Sequence, residues 1–215
     1  MKRLIIIGAS GHGKVIADIA RLNGYSNIVF LDDDDSVKEC SGFPVIGKTS
    51  EAGTLDGDKI VAIGNPDIRE RIQKDISTII LLHPDAVIGN NVSIGEGTVV
   101  MAGVVINPDT KIGKGCIINT ASSVDHDCMI EDYVHVAVGA HICVGVRIGR
   151  KTWIGAGVIV NNYHNVCGEC LIGSGAVVVK DIKEAGTYVG TPATKMERTK
   201  SKECGKIAAL DTQGG

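Results

Sequence analysis

A hydrophobic position recurs every six residues through the C-terminal part of this 215-residue chain. Ile or Val occupies sixteen consecutive positions of this series, from Ile88 to Val178, without a break. A period of six fits neither an α-helix, which repeats every 3.6 residues, nor an alternating strand, which repeats every two. A fixed short repeat indicates a solenoid, and β-branched side chains favour strands. The series therefore predicts a β-solenoid built from hexapeptide repeats.

The hexad fixes the geometry of the predicted solenoid. Each hexad supplies one short strand and one corner, so three hexads close one triangular coil. Sixteen hexads give a little over five coils, and at about 4.8 Å between strands they form a prism roughly 25 Å tall. The repeated Ile or Val fills the prism axis, and the residue two places earlier lines the interior, as expected for Cys116, Cys128 and Cys170. The flat outer walls of such prisms usually pack in an oligomer.

The composition agrees with a β-rich globular protein, because Ile and Val total 52 residues against 8 Leu and only 7 aromatic residues. The net charge of −3 and the lack of a basic cluster argue against a nucleic-acid partner. The sequence has no run of 18 apolar residues and no signal-peptide pattern, which predicts a cytoplasmic protein without membrane insertion. Seven Cys, an odd number, fit a reducing compartment.

The first 82 residues follow a different pattern, in which apolar strands alternate with helical segments. Strands are predicted at 4–7, 28–31 and 60–63, a helix follows the first glycine turn, and a short helix and a further apolar run at 79–82 complete the segment. This order predicts a Rossmann-like α/β subdomain with a small parallel sheet. The chain is therefore divided into an α/β subdomain at 1–82, a β-helix at 83–196 and a polar tail at 197–215.

The glycine turn Gly8–Lys14 has two possible meanings. It matches G-x-x-x-x-G-K, but Val15 stands where a nucleoside triphosphatase needs Ser or Thr, and it does not match G-x-G-x-x-G. A turn of this kind places backbone N–H groups at a helix N-terminus, which suits a phosphate. Asp32 and Asp33 follow the second strand, where such folds contact the rest of a nucleotide. A purely structural turn and a solvated acidic loop are the alternatives.

Histidines interrupt the hexad series at a few positions. His126 lies at a predicted corner beside Asp127, whereas His135 and His141 precede repeat positions and are predicted to point outward. Such residues are either surface histidines or, across subunits of a trimer, zinc ligands. Cys167-x-x-Cys170 has no partner pair, and Cys128 is expected to face the interior, which disfavours a Cys–His acyl-enzyme.

Three stretches carry a resemblance that covers about residues 2–196: Ile6–Val15, Asn119–Cys128 and Tyr188–Ala193. The chain resembles the bacterial hexapeptide-repeat sugar acetyltransferases, the group of the sialic acid O-acetyltransferases and UDP-4-amino-sugar N-acetyltransferases. One departure is Thr194, where the family pattern has Lys, with Lys195 one place later.

The resemblance implies a left-handed parallel β-helix that works as a homotrimer with three shared sites. It implies direct transfer from acetyl-CoA, without a metal, to the amino group of a nucleotide-linked 4-amino sugar, with UDP as the favoured nucleotide. His126 would be the general base and Asp127 would orient it, and acetyl-CoA would meet His135, Ala156 and Ser174. The residues that match the nucleotide-sugar pocket are Ser10, Gly11, His12, Asp32, Asp33, Gly64 and Asn65.

Three other functions stay open on the sequence. The same fold acetylates sugar hydroxyls, as in sialic acid O-acetylation. A trimeric β-helix of the carbonic-anhydrase type would use His135 and His141 as zinc ligands. A non-catalytic scaffold or binding module would have the repeats without coenzyme A binding.

Overall fold

A computed structural model describes residues 2–196 of the chain, so the predicted tail at 197–215 lies outside the described residues. The first part is an α/β subdomain with a five-stranded sheet in the order β3-β4-β2-β1-β5. Its neighbours are parallel except for the hairpin of β3 and β4. The elements are β1 (Arg3–Ile7), α1 (Gly11–Leu22), β2 (Asn27–Leu31), β3 (Glu39–Cys40), β4 (Phe43–Gly47), a 3₁₀ helix (Thr49–Gly53), β5 (Asp58–Val61) and α2 (Pro66–Gln73).

The second part is a parallel β-helix whose two-residue strands form three walls. Wall 1 contains β6 (Leu81–Leu82), β9 (Val99–Val100), β12 (Ile117–Ile118), β15 (His135–Val136), β18 (Trp153–Ile154) and β21 (Leu171–Ile172). Wall 2 contains β7 (Val87–Ile88), β10 (Val105–Ile106), β13 (Ser123–Val124), β16 (His141–Ile142), β19 (Ile159–Val160) and β22 (Val177–Val178). Wall 3 contains β8 (Ser93–Ile94), β11 (Lys111–Ile112), β14 (Met129–Ile130), β17 (Arg147–Ile148) and β20 (Asn165–Val166). The end is closed by β23 (Thr187–Val189) and the antiparallel β24 (Thr194–Lys195).

The hexad series and the fold class that it predicts are confirmed. The repeated Ile and Val positions face the prism axis, and from Val100 to Val178 all of them are buried, whereas Ile88 and Ile94 near the open end are partly exposed. From β6 to β19, each strand pairs with the strand three positions later, so that Ile106 lies next to Val124, eighteen residues along the chain. Buried Cys116, Cys128 and Cys170 lie inside the prism, as predicted.

The apolar run at 79–82 connects the sheet of the α/β subdomain to the β-helix. Only Leu81–Leu82 is a strand, and it pairs with β9 in wall 1 of the β-helix rather than with the sheet of the α/β subdomain. Ile79 still donates a backbone hydrogen bond to Lys59, so the chain crosses from one sheet to the other within two residues. The division at residue 82 stays a prediction.

The α/β subdomain covers the outer face of wall 1. Side chains of α1 and of the sheet share one hydrophobic cluster with the wall residues Leu81, Val99, Met101 and Ile117. Ion pairs from α2 reinforce the contact, because Glu70 binds Arg150 and Lys151 at the edge between walls 3 and 1. Burial of this apolar face at roughly 25 cal/mol per Å² fixes the subdomain on one wall.

Candidate active site

His126 and Asp127 lie at the edge between walls 2 and 3, in the corner that joins β13 to β14. The His126 Nδ1 atom lies 2.6 Å from Asp127 Oδ2, and the two side chains are 50% and 63% exposed. Asp127 adopts a left-handed backbone conformation with φ of 58°, which turns its carboxylate back toward the preceding imidazole. This exposed His–carboxylate pair leaves the opposite ring nitrogen, Nε2, free to face solvent.

The corner is held from beneath by the neighbouring coil. Asp125 Oδ1 accepts hydrogen bonds from Asn107 Nδ2 at 2.7 Å and from the His126 amide at 2.8 Å. The buried Thr110 hydroxyl donates to the Asp125 carbonyl at 2.7 Å and accepts from the Cys128 amide at 3.2 Å. The corner that carries His126 is therefore fixed at both ends.

Electrostatics favour the protonated form of His126 more than in a free imidazole. Its pKa is raised, first by the hydrogen bond to Asp127 and further by the Asp125 carboxylate. A hydrogen bond at Nδ1 also fixes the tautomer with the lone pair on Nε2. The pair has the arrangement of a general base and its orienting acid.

A second site is a cavity of about 750 Å³ between the α/β subdomain and wall 1. Five of the predicted pocket residues line it: Ser10, Asp32, Asp33, Gly64 and Asn65. Residues that the sequence reasoning missed also line it, namely Thr49, Ile68, Arg71 and Trp153. Trp153 had a sequence signal, since it is the one Trp and occupies an outward wall position just before a repeat residue.

The glycine turn is structural and also opens onto this cavity. A Cβ atom at Gly13 would collide with the Gly8 carbonyl oxygen, so the turn has no space for a side chain there. The Ala9 amide donates to Asp32 Oδ2 at 2.7 Å, which joins the turn to the end of β2. Ser10 lies at the N-cap of α1 without a capping hydrogen bond from its side chain, so its hydroxyl faces the cavity unengaged.

Gly11 and His12 are not among the cavity-lining residues. His12 lies behind the turn, with Nε2 buried and unpartnered. Burial, together with the Arg69 charge, lowers the pKa of His12 to about 4, so the ring is neutral at pH 7. Their assignment to the pocket stays a prediction.

His135 points out of wall 1 as predicted, but it is buried rather than exposed, because the α/β subdomain covers it. Its Nε2 lies 3.1 Å from Asn119 Nδ2, and its ring packs on Trp153 with centroids 4.2 Å apart. Burial lowers the pKa of His135 to about 3, and Arg69 adds to the effect. His135 therefore lies directly behind the Trp153 face of the cavity, as a neutral ring.

Ala156 and Ser174 lie one above the other at the edge between walls 1 and 2, where both are exposed. The Gly175 amide donates to the Ala156 carbonyl at 2.8 Å, which sets the spacing of this column. His126 lies on the other edge of wall 2. The structure thus brings neither residue next to His126 within one chain.

The cavity and the His126 edge are also separated. His126 lies at the vertex of the triangular coil opposite wall 1, and no cavity-lining residue comes from that vertex in the described part of the chain. His135 and His141 lie on walls 1 and 2 and likewise do not meet. Within residues 2–196, no group of three or more His, Cys, Asp or Glu side chains is arranged to hold a metal ion.

Comparison with known proteins identifies the family. The family profile of the PglD N-terminal domain matches residues 3–76. The acetyltransferase domain of PglB from Neisseria gonorrhoeae FA1090, solved in complex with acetyl coenzyme A, is 40% identical, with a TM-score of 0.88 over 91% of this chain and 99% of that one. The chain belongs to the PglD-like acetyltransferase family.

Two further relatives are described with sugars linked to different nucleotides. PerB from Caulobacter crescentus, solved in complex with CoA and GDP-perosamine, is 32% identical, with a TM-score of 0.87 over 92% of this chain and 98% of that one. UDP-N-acetylbacillosamine N-acetyltransferase of Bacillus subtilis (strain 168) is 32% identical over 114 residues, or 47% of this chain and 52% of the relative. The chain spans about half the length of the curated relatives it matches. Among its described residues, no helix is both long and apolar enough to cross a membrane.

Proposed function

We propose that this chain transfers an acetyl group from acetyl-CoA to the amino group of a nucleotide-linked 4-amino sugar, with UDP as the nucleotide. The observation that carries the proposal is the exposed His126–Asp127 pair, whose 2.6 Å hydrogen bond leaves one imidazole nitrogen free at an edge of the β-helix. The relatives that bind or act on UDP and GDP amino sugars support the substrate class. UDP itself is favoured by resemblance alone.

His126 supplies the proton transfer that this reaction needs. The sugar amine attacks the thioester carbonyl carbon, a C–N bond forms, and the amine proton passes to His126 Nε2. The C–S bond then breaks, the acetyl group stays on nitrogen, and the proton leaves with the coenzyme A sulfur. Because Asp127 accepts the Nδ1–H, it stabilises the imidazolium that forms between these steps. Neither a metal ion nor a covalent enzyme intermediate takes part.

The cavity of the α/β subdomain is the proposed nucleotide site. Backbone N–H groups at the start of α1 and the free Ser10 hydroxyl suit a diphosphate. Asp32 and Asp33 follow β2, where carboxylates of such folds accept hydrogen bonds from ribose hydroxyls. Asp33 is held in place by the Thr49 amide and hydroxyl, with its nearest contact at 2.8 Å. Trp153 offers an aromatic face at the β-helix side of the cavity.

A homotrimer would bring the two separate parts together. His126 and the Ala156–Ser174 column flank the same wall, wall 2, on its two edges. Half of the six outward residues of wall 2 are both apolar and exposed, namely Val87, Val105 and Ile159, whereas wall 3 presents Lys111 and Arg147. A ring of three copies with wall 2 facing the axis places the His126 edge of one copy beside the Ala156–Ser174 edge and cavity of the next. Acetyl-CoA would then lie in the groove between two prisms, close to His135.

The proposed reaction takes place in the cytoplasm, where acetyl-CoA and nucleotide sugars are available. The cytoplasm is a reducing compartment. The six described cysteines, all of them free, agree with such a compartment.

A substrate screen tests the function. Purified protein is mixed with acetyl-CoA and with UDP- and GDP-linked amino sugars, alongside the corresponding hydroxyl sugars and sialic acid, and the release of free coenzyme A thiol is followed. We expect turnover with UDP-linked 4-amino sugars, and mass spectrometry should find one acetyl group on nitrogen. Turnover only with GDP-linked amino sugars would change the nucleotide. Turnover only with hydroxyl acceptors would establish O-acetylation, and a protein that does not bind acetyl-CoA in calorimetry would be a scaffold.

A further inference from the structure

Arg69, in the middle of α2, is one of the most deeply buried side chains of the protein, with 1% of its surface exposed. Its guanidinium donates four hydrogen bonds, all to backbone carbonyl oxygens. Nε donates to Gly115 at 2.7 Å and Nη2 to Tyr133 at 2.9 Å. Nη1 donates to Ile63 at 2.7 Å and to Gly64 at 2.8 Å. No carboxylate is among the acceptors of this buried charge.

The charge state of Arg69 is maintained by these carbonyl dipoles. A buried cation is costly unless it is paired or fully hydrogen-bonded. Burial lowers the pKa of Arg69 to about 10, so the guanidinium remains charged at neutral pH. Arg150 shows the contrast, because it lies at the same interface, is half exposed and pairs with the Glu70 carboxylate at 2.6 Å.

The four acceptors belong to two different parts of the molecule. Ile63 and Gly64 form the turn after β5 and line the cavity. Gly115 and Tyr133 lie eighteen residues apart, on successive coils at the edge between walls 3 and 1. One planar side chain therefore joins the cavity turn to the β-helix. A lysine at this position could not bridge the same set, since it carries a single point charge without the planar fork.

The coil that Arg69 grips through Tyr133 carries His135 two residues later. Arg69 is near enough to lower the pKa of both His135 and His12, in addition to their burial. The other face of His135 is covered by Trp153, which lines the cavity. Arg69 thus affects the cavity indirectly: its charge acts on His135, and His135 packs against Trp153, which lines the cavity.

We infer that Arg69 is a positioning residue for the transfer reaction: by clamping the Ile63–Gly64 turn to two coils, it holds the bound nucleotide sugar in register with the β-helix. Arg69 does not touch the substrate. The inference rests on the proposed function for its kinetic part, while its structural part is measured by nucleotide binding and by fluorescence, without turnover.

Three variants separate this role from a general effect on folding. Arg69→Met keeps the size and removes the charge, Arg69→Lys keeps the charge without the fork, and Arg150→Met removes an exposed ion pair at the same interface as the matched control. In both Arg69 variants, we expect the KM for the nucleotide sugar to rise about tenfold or more, as loss of more than one charged hydrogen bond implies. The KM for acetyl-CoA should change less than the KM for the nucleotide sugar, since Ala156 and Ser174 lie at the edge of wall 1 away from Arg69. Arg150→Met should match the wild type in both constants.

Emission from Trp153, the single Trp of the chain, gives a readout that a purely structural role would not move. Protonation of His135 should quench it, and removal of the Arg69 charge raises the pKa of His135. The midpoint of acid quenching should therefore move to higher pH in Arg69→Met and stay at the wild-type value in Arg150→Met and Arg69→Lys. Titration of UDP or GDP into each protein, followed by the same emission, gives the nucleotide affinity directly.

Wild-type nucleotide affinity in both Arg69 variants overturns the inference, and so does a wild-type quenching midpoint in Arg69→Met. If neither variant folds, hydrogen exchange of the wild type decides. Nucleotide binding should then slow amide exchange in a peptide over residues 111–116, which carries the Gly115 acceptor but no cavity-lining residue. Protection confined to the α/β subdomain would equally overturn it. Failure of turnover with intact nucleotide binding would count against the proposed function alone.

Discussion

At the scale of single residues, the proposed chemistry depends on one hydrogen bond between neighbours in sequence. Asp127 raises the pKa of His126 and fixes its tautomer. Replacing His126 with Ala should lower kcat by about 10²- to 10⁴-fold, the usual contribution of a general base. Asp127→Asn should lower kcat less. It should also move the acid limb of the pH–kcat profile to lower pH, because the base form of a histidine with a lower pKa persists further into acid.

Asp109→Asn is the matched control for this prediction. Asp109 lies one coil below Asp127, in the same left-handed conformation, with φ of 62° against 58°. It is exposed and its carboxylate accepts from Asn91 rather than from a histidine. Its loss should leave kcat within about twofold and move the acid limb less than Asp127→Asn does, because Asp109 makes the smallest contribution to the raised pKa of His126. An acid limb that does not move in Asp127→Asn would remove Asp127 from the assigned role.

At the scale of the structural element, inward-facing threonines fasten one coil to the next. Thr110 and Thr152 are fully buried, and each hydroxyl donates to a carbonyl and accepts from an amide of the following coil. Thr110 holds the His126 corner, whereas Thr152 holds the corner of Cys167–Cys170. Replacing either with Val keeps the shape and leaves two buried backbone groups without a partner, which should cost about 1–3 kcal/mol of stability.

The two variants should differ in activity although their stability losses are similar. Thr110→Val should also lower kcat, since the Asp125 carbonyl and the Cys128 amide on either side of the catalytic pair lose their anchor. Thr152→Val should keep the wild-type kcat at a temperature where both proteins are folded. Denaturant unfolding measures the stability and steady-state assays the rate. Equal kcat in the two variants would show that the corner keeps its geometry without the Thr110 hydroxyl.

Much of the fold and part of the site are readable from the sequence, for a physical reason. The hexad repeat is a local signal, because each hexad supplies its own strand and corner. The period of the repeat and the register of the strands can therefore be read directly from the sequence. The hydrogen-bonded corner of His126 and Asp127 is equally local. Burial of His135 is different, because it comes from a subdomain that packs over wall 1, and strand alternation alone predicts only an outward direction.

Residues whose contacts join the α/β subdomain to the β-helix could not be predicted from the sequence. Arg69 lies on the short helix α2, and its four acceptors are backbone carbonyls, which no side-chain motif records. Trp153 lines the cavity because the α/β subdomain packs against wall 1. The short hairpin of β3 and β4 is a different case, because its Ser41–Gly42 turn has positive φ at both residues and is a local signal that the sequence reasoning missed.

At the scale of the whole molecule, the proposed catalytic pair lies at the edge between walls 2 and 3 and the cavity lies over wall 1, so an active site shared between subunits is the central expectation. Two variants test it. His126→Ala removes the base, and Ser10→Phe fills the exposed N-cap position of the cavity with a bulky ring. Each protein alone should be nearly inactive, and light scattering should give three times the 22.5 kDa chain mass for both.

When the two variants are co-expressed with different tags and purified as mixed trimers, activity should return. A site that takes His126 from one subunit and the cavity from the next is intact wherever an unblocked cavity adjoins a subunit with His126, which is the case at about one in three sites of the purified mixed trimers. If base and cavity came from the same chain, every site would carry one lesion and mixing would restore nothing. Mixing the separately purified trimers without subunit exchange is the control and should also stay inactive. Recovery in the mixed trimers alone thus requires that His126 acts on a substrate held by its neighbour.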